Sequence, residues 1–127
     1  MKDGLSGATL VAFSATCDPD RARAFYGKVL GLALVDQTPF SMVFDANGTR
    51  IRLQFVEQVV APPYTVLGWE VADLDAVLAM LSDHGVSTEC YPGLDQDHQG
   101  VWTVPDGTRV AWFKDPDGNT ISLTQVA

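Results

Sequence analysis

Histidine and cysteine are scarce in this sequence. Among its 127 residues there are two histidines, His84 and His98, and two cysteines, Cys17 and Cys90. Two cysteines make no disulfide framework, and no CxxC or Cys/His spacing suggests zinc. Basic residues are also few. Eight Lys and Arg stand against sixteen Asp and Glu, a formal charge of −8 with a pI near 4.4. With no Lys/Arg patch to neutralise phosphates, nucleic acid is not an expected partner. No run of about 18 apolar residues occurs, so no membrane-spanning helix is expected. The opening MKDGLSGATLVAFSA does not read as a leader: its apolar run is short and interrupted, and Asp3 sits where positive charge belongs. With so little thiol chemistry, a reducing cytoplasm is the expected location. There is no nucleophile–base pair, phosphate loop or nucleotide fingerprint.

What is present is an ordinary apolar content, 46%, enough for one domain or two half-domains that share a core. Asp18 followed by Pro19 reads as a helix N-cap with proline in the first turn. Ala22, Phe25, Tyr26, Val29 and Leu30 then form one apolar stripe that Gly31 closes. Asp73 caps a second helix with the stripe Leu74, Val77, Leu78 and Leu81, closed by Gly85. Short apolar runs, Thr9–Ala15 and Thr65–Val71, lead into the two caps as strands. After each helix, DANGTRIRLQFV (Asp45–Val56) and DPDGNTISLTQV (Asp115–Val126) align at a constant offset of 70, each with a hairpin signal at Asn-Gly or Asp-Gly. The preceding FSMVFD and VAWFKD supply the partner strands. The order strand, helix, then about three strands therefore occurs twice, in modules of about 1–60 and 61–127 joined through Glu57–Thr65. The expected class is α+β, with two tandem βαβββ modules.

Three segments carry a resemblance: AFYGKVLGLAL (Ala24–Leu34), VADLDAVLAMLSDHGV (Val71–Val86) and RVAWFKDPDGNTISLTQ (Arg109–Gln125). In this order and spacing the chain resembles the vicinal-oxygen-chelate superfamily, the glyoxalase/bleomycin-resistance/dioxygenase group, over nearly its whole length. The resemblance implies a single domain with a curved mixed sheet around a cavity, helices on its convex side, and a homodimer. It also implies either one divalent metal held by His and Glu or Gln on four strands, or a metal-free relative that binds compounds such as antibiotics.

Carried onto this chain, the metal-ligand positions of the resemblance fall on Val11, Arg52, Val66 and Ser122. Valine offers no lone pair, and arginine is a fixed cation. A one-residue slip supplies no ligands either, and His84 and His98 lie on a helix end and in a loop. No metal and no other cofactor is expected.

Residues two apart on a strand share a face. With those four positions facing inward, Phe13, Arg50, Gln54, Gly68, Glu70, Thr120 and Thr124 should join them, while Ile51, Leu53, Phe55, Ile121 and Leu123 face the helices. The candidate ligand-binding set is Phe13, Arg50, Arg52, Gln54, Val66, Glu70, Trp102, Thr120 and Ser122. Arg52 either anchors an anionic group, pairs with Glu70, or reaches solvent beside Arg50. Trp102 follows a Gly-rich acidic segment (Gly93–Gly100) that either lids the cavity or forms a plain surface loop. Trp69 and Trp112 read as core or dimer contacts, and Cys17 as a small buried residue.

Three functions fit these residues. The first is a metal-independent protein that binds or sequesters a small anionic or neutral organic compound. The second is a metal-independent glyoxalase- or isomerase-like enzyme, with Glu70 as catalytic base and Arg52 stabilising an oxyanion. The third is an interaction module without a ligand. A metal-dependent glyoxalase or dioxygenase is not among them.

Overall fold

Asp18 and Asp73 behave as the capping chemistry requires. Each side chain accepts a hydrogen bond from the backbone N–H three residues on, Arg21 at 3.2 Å and Ala76 at 3.1 Å. In the structure, a computed structural model that describes residues 4–127, they open helices α1 (Pro19–Ala24) and α2 (Leu74–Asp83). Asp3, weighed above against a leader peptide, lies outside the described residues. The chain divides into two units, one ending at Val59 and the other spanning Val60–Ala127. Each unit holds one four-stranded mixed sheet, so the class is α+β with two tandem modules. Among the described residues no helix is long and apolar enough to cross a membrane.

The first unit runs β1 (Val11–Thr16), α1, β2 (Ala33–Gln37), β3 (Ser41–Ala46) and β4 (Thr49–Phe55), with sheet order β1-β4-β3-β2. β1 pairs parallel with β4, and the other pairs are antiparallel. The turn joining β3 to β4 places both Asn47 (φ 51) and Gly48 (φ 96) in the left-handed region, as a two-residue primed hairpin needs. Ile51 and Leu53 are buried and Phe55 half-buried, while Arg50, Arg52 and Gln54 are exposed. The period-2 register expected for β4 therefore holds.

α1 is shorter than its apolar stripe suggests. From Phe25 to Val29 the backbone widens into a π-helical turn, with the Leu30 N–H donating to the Phe25 carbonyl at 2.9 Å. The wider turn keeps two consecutive aromatics, Phe25 and Tyr26, buried together, edge to face at 5.4 Å, and Tyr26 also meets Phe44. Cys17 corrects the reading of it as a buried residue, for it is exposed. The buried Thr16 before it accepts a hydrogen bond from the Asp18 N–H through Oγ1 at 3.1 Å, and this bend turns Cys17 outward.

The second unit runs β5 (Thr65–Glu70), α2, β6 (Trp102–Thr103), β7 (Arg109–Lys114) and β8 (Thr120–Gln125), with order β5-β8-β7-β6. Leu74, Leu78 and Leu81 of α2 are buried, as are Ile121 and Leu123 of β8. The Gln125 side chain ties the two elements by accepting from the Leu74 N–H at 2.7 Å. In the β7–β8 turn the buried Asp115 carboxylate accepts from Asp117 N–H and Asn119 N–H (both 2.9 Å) and from Asn119 Nδ2 (3.0 Å). A buried carboxylate persists there because it is fully hydrogen-bonded.

Candidate functional site

Strand pairing decides which side chains meet on the polar face of the second unit. Thr65, Thr120 and Lys114 are Cα partners across β5, β8 and β7; Gly68, Ser122 and Trp112 form the next row; Glu70, Thr124 and Val110 form the one after, with Trp102 beside Val110. A cleft of about 470 Å³ opens at the first end of this face. Its floor is Thr65, Thr120, Lys114 and Trp112, and its walls come from Tyr91 and from Pro63 and Tyr64 of the segment leading into β5. That volume lies within the range of small-molecule sites.

Each side chain has a local cause for its position. Thr120 is buried, and its Oγ1 accepts a hydrogen bond from Lys114 Nζ at 3.0 Å, so the ammonium is held by a group that leaves its charge unneutralised. Trp112 contacts two other aromatic rings. Tyr91 meets it edge to face at 5.4 Å, and Trp102 stacks on it at 6.4 Å with planes 25° apart. Burial, with the nearby Glu89 carboxylate adding to it, raises the Tyr91 phenol above its ordinary pKa, while the Thr120 hydroxyl pulls the other way. Tyr91 therefore stays a neutral phenol at physiological pH.

Tyr91 comes from no strand. The segment that carries it is ordered by Gln96, whose Oε1 accepts from the Tyr91 N–H (2.7 Å) and whose Nε2 donates to the Glu89 and Gly100 carbonyls (2.9 and 2.8 Å). Asp97 adds a second clamp by accepting from the Val101 and Gln99 N–H groups, and these donors hold its carboxyl below the usual range. Gly100 closes the segment at φ +82°, where an added Cβ would lie 2.4 Å from Thr88 Oγ1. The Gly93–Gly100 segment is thus fastened at its base.

The anticipated site residues fall into two groups, one in each unit. In the first unit, Phe13 and Arg52 are cross-strand partners, with Val11–Arg50 and Ala15–Gln54 on either side. The Arg52 guanidinium lies 5.9 Å from the centre of the Phe13 ring. In the second unit, Thr120 lines the cleft, Ser122 sits opposite the cleft residue Trp112, and Trp102 backs Trp112. Val66 does not line the cleft. A bulge between Thr65 and Leu67 inserts Val66 as an extra residue, and Thr65 takes the place opposite Thr120. Glu70 ends β5 at the opposite end from Thr65, five residues or roughly 16 Å along the strand, and is exposed.

The cleft residues missing from the anticipated set are Pro63, Tyr64, Thr65, Tyr91, Trp112 and Lys114. The positions onto which the resemblance carries metal ligands are Val11 and Arg52 in the first unit and Val66 and Ser122 in the second, and valine and arginine offer a divalent cation no donor atom. Among the described residues, no group of three or more His, Cys, Asp or Glu is placed to hold a metal ion.

Comparison with known proteins agrees with this architecture. The sequence profile described as Glyoxalase/Bleomycin resistance protein/Dioxygenase superfamily matches residues 10–123. Among solved structures, the chain is similar to lactoylglutathione lyase from Agrobacterium tumefaciens, with 17% identity, 94% of this chain and 93% of that one covered, and a TM-score of 0.72. A glyoxalase/bleomycin resistance protein/dioxygenase from Alicyclobacillus acidocaldarius matches at 17% identity over 94% and 92%, TM-score 0.71. A superfamily member from Sphaerobacter thermophilus matches at 23% over 94% and 97%, also at 0.71. Identities this low establish the fold and no more. No curated protein sequence matches at a significant level.

Proposed function

Because the chain belongs to the glyoxalase/bleomycin resistance protein/dioxygenase superfamily, we propose that it is a metal-independent member that binds a small organic molecule in the cleft of its second unit. The observation that carries this reading is the cleft itself. Tyr64, Tyr91 and Trp112 supply apolar wall, and Thr65, Thr120 and Lys114 supply a few polar anchors on a rigid sheet. Apolar lining with sparse, fixed polar groups is what small-molecule sites share. The Val11, Arg52, Val66 and Ser122 set supports the metal-independent part. The small-molecule reading is favoured over the enzymatic one with Glu70 as base because Glu70 is not among the residues lining this cleft and closes β5 at the opposite end from Thr65.

The test is a ligand-observed and protein-observed NMR screen of a chemically diverse panel of organic compounds in chelator-treated buffer. Compounds that bind should shift the resonances of Tyr91, Trp112 and Thr120. Binding that appears only when a divalent metal is added would overturn the reading, as would one equivalent of metal retained through dialysis.

A further inference from the structure

We propose that the cleft selects planar aromatic acids, with the ring against Trp112, Tyr91 and Tyr64 and the carboxylate on the Lys114 ammonium. The inference rests on the reading of this cleft as a small-molecule site and names the class of molecule. Three observations lead to it. The first is the wall: three aromatic side chains line a cleft of about 470 Å³, and Trp112 is held in place by contacts with Tyr91 and Trp102. Rigid aromatic surface favours flat, unsaturated partners through offset and edge-to-face contact.

The second observation is the charge. The chain as a whole carries −8, yet the ionised group lining this cleft is Lys114. Its Nζ spends one of three N–H donors on the neutral Thr120 hydroxyl at 3.0 Å, which fixes the ammonium and leaves two donors for a ligand. A cation would find aromatic faces here, but it would also meet this ammonium. A carboxylate gains a charge-assisted hydrogen bond instead. The third observation is Tyr91. Kept neutral, it is a hydrogen-bond donor that presents no negative charge to an incoming anion. The Glu89 carboxylate lies near Tyr91 but is not among the cleft-lining groups.

Calorimetric titration with three probes built on one carbon skeleton tests the proposal: naphthoate, its neutral analogue naphthamide, and the saturated, non-planar decahydronaphthoate. Naphthoate should bind best, with naphthamide about ten- to a hundredfold weaker for want of a charge-assisted bond. Decahydronaphthoate should also be weaker. Lys114→Gln should bring naphthoate down to the level of naphthamide, and Lys114→Arg should keep most of the preference. Equal affinity for the acid and the amide would overturn the charge selection, and equal affinity for the planar and saturated acids would overturn the aromatic selection. If none of the three binds while an aliphatic or cationic compound from the broader panel occupies the cleft, the inference fails and the small-molecule reading stands. If no compound of either kind binds there, both fail.

Discussion

Gln96 is the residue on which the order of the cleft's Tyr91 wall depends, and its removal has a calculable effect. Three backbone groups, the Tyr91 N–H and the Glu89 and Gly100 carbonyls, depend on this one side chain for hydrogen bonds of 2.7 to 2.9 Å. Gln96→Leu keeps the approximate volume and removes all three. A typical hydrogen bond contributes about 0.5–1.5 kcal/mol net, so the loss lies between about 1.5 and 4.5 kcal/mol. Gln96 is half-buried, so water reaches part of the site and the lower half of that range applies, about 2 kcal/mol. For a chain of this size each kcal/mol lowers the melting temperature by roughly 3–5 °C, giving an expected drop of about 6–10 °C. Gln96→Glu separates the contributions. At neutral pH its carboxylate still accepts from the Tyr91 N–H, but it faces two carbonyl oxygens with no proton to give. It should melt as low as the leucine variant and recover in part at acidic pH, where the protonated carboxyl donates once more. Differential scanning calorimetry of the three proteins decides the matter. A leucine variant that melts within about 1 °C of the parent would refute the view that Gln96 orders this segment.

Two further perturbations probe each unit separately. Arg52→Ala removes a guanidinium that lies over the Phe13 ring, an exposed cation–π contact of about 0.5–1 kcal/mol, so the melting temperature should fall by less than about 5 °C. Phe13→Leu should remove much the same contact, so the double variant should fall short of the sum. A loss above about 2 kcal/mol on Arg52→Ala, measured by denaturant unfolding, would show that the arginine has a stronger structural partner. In the second unit, the raised Tyr91 pKa favours the folded state below pH 10.0, the unfolded value, and this stability is lost as pH rises through the folded-state value. Tyr91→Phe should flatten that alkaline decline, and phenolate absorbance should place one tyrosine above the others. A Tyr91 that titrates at or below 10.0 would refute the assignment.

Much of the fold is legible because its signals are local and repeated. Asp18 and Asp73 each stand directly before an apolar stripe, and each caps the helix that follows. Ile51 and Leu53 alternate with Arg50, Arg52 and Gln54, and a strand paired on both sides cannot slip without burying arginine. The offset of 70 between Asp45 and Asp115 marks two hairpins in corresponding places, although the first turns at Asn47 and Gly48 and the second through the longer loop Asp115–Asn119. Less legible are the places where one residue is added to a regular element. The π-helical turn at Phe25–Val29 lies inside a stripe that ordinary helical periodicity already explains, since a one-residue widening barely alters which positions are apolar.

The cleft shows the same limit more sharply. Thr120, Ser122 and Trp102 were reachable from strand alternation and from the tryptophan's position. The resemblance puts Val66 on the inward face, and counting on two residues at a time then adds Gly68 and Glu70, a count that holds only on an unbroken strand. The bulge between Thr65 and Leu67 breaks it, and Thr65 occupies the row of Thr120. Tyr91 and Tyr64 were out of reach, because they come from irregular segments whose course is set by side chains such as Gln96, not by any period. Trp112 and Lys114 were hidden by the length of a turn. A tight turn at Asp117-Gly118, the signal the sequence offers, would pair Lys114 with Ile121 and Trp112 with Leu123, whereas the longer loop Asp115–Asn119 pairs Lys114 with Thr120 and Trp112 with Ser122. Thr120 and Ser122 are reachable from the sequence, but a shift of one residue in the loop decides that their neighbours across the strand are the ammonium and the indole that give the cleft its chemistry.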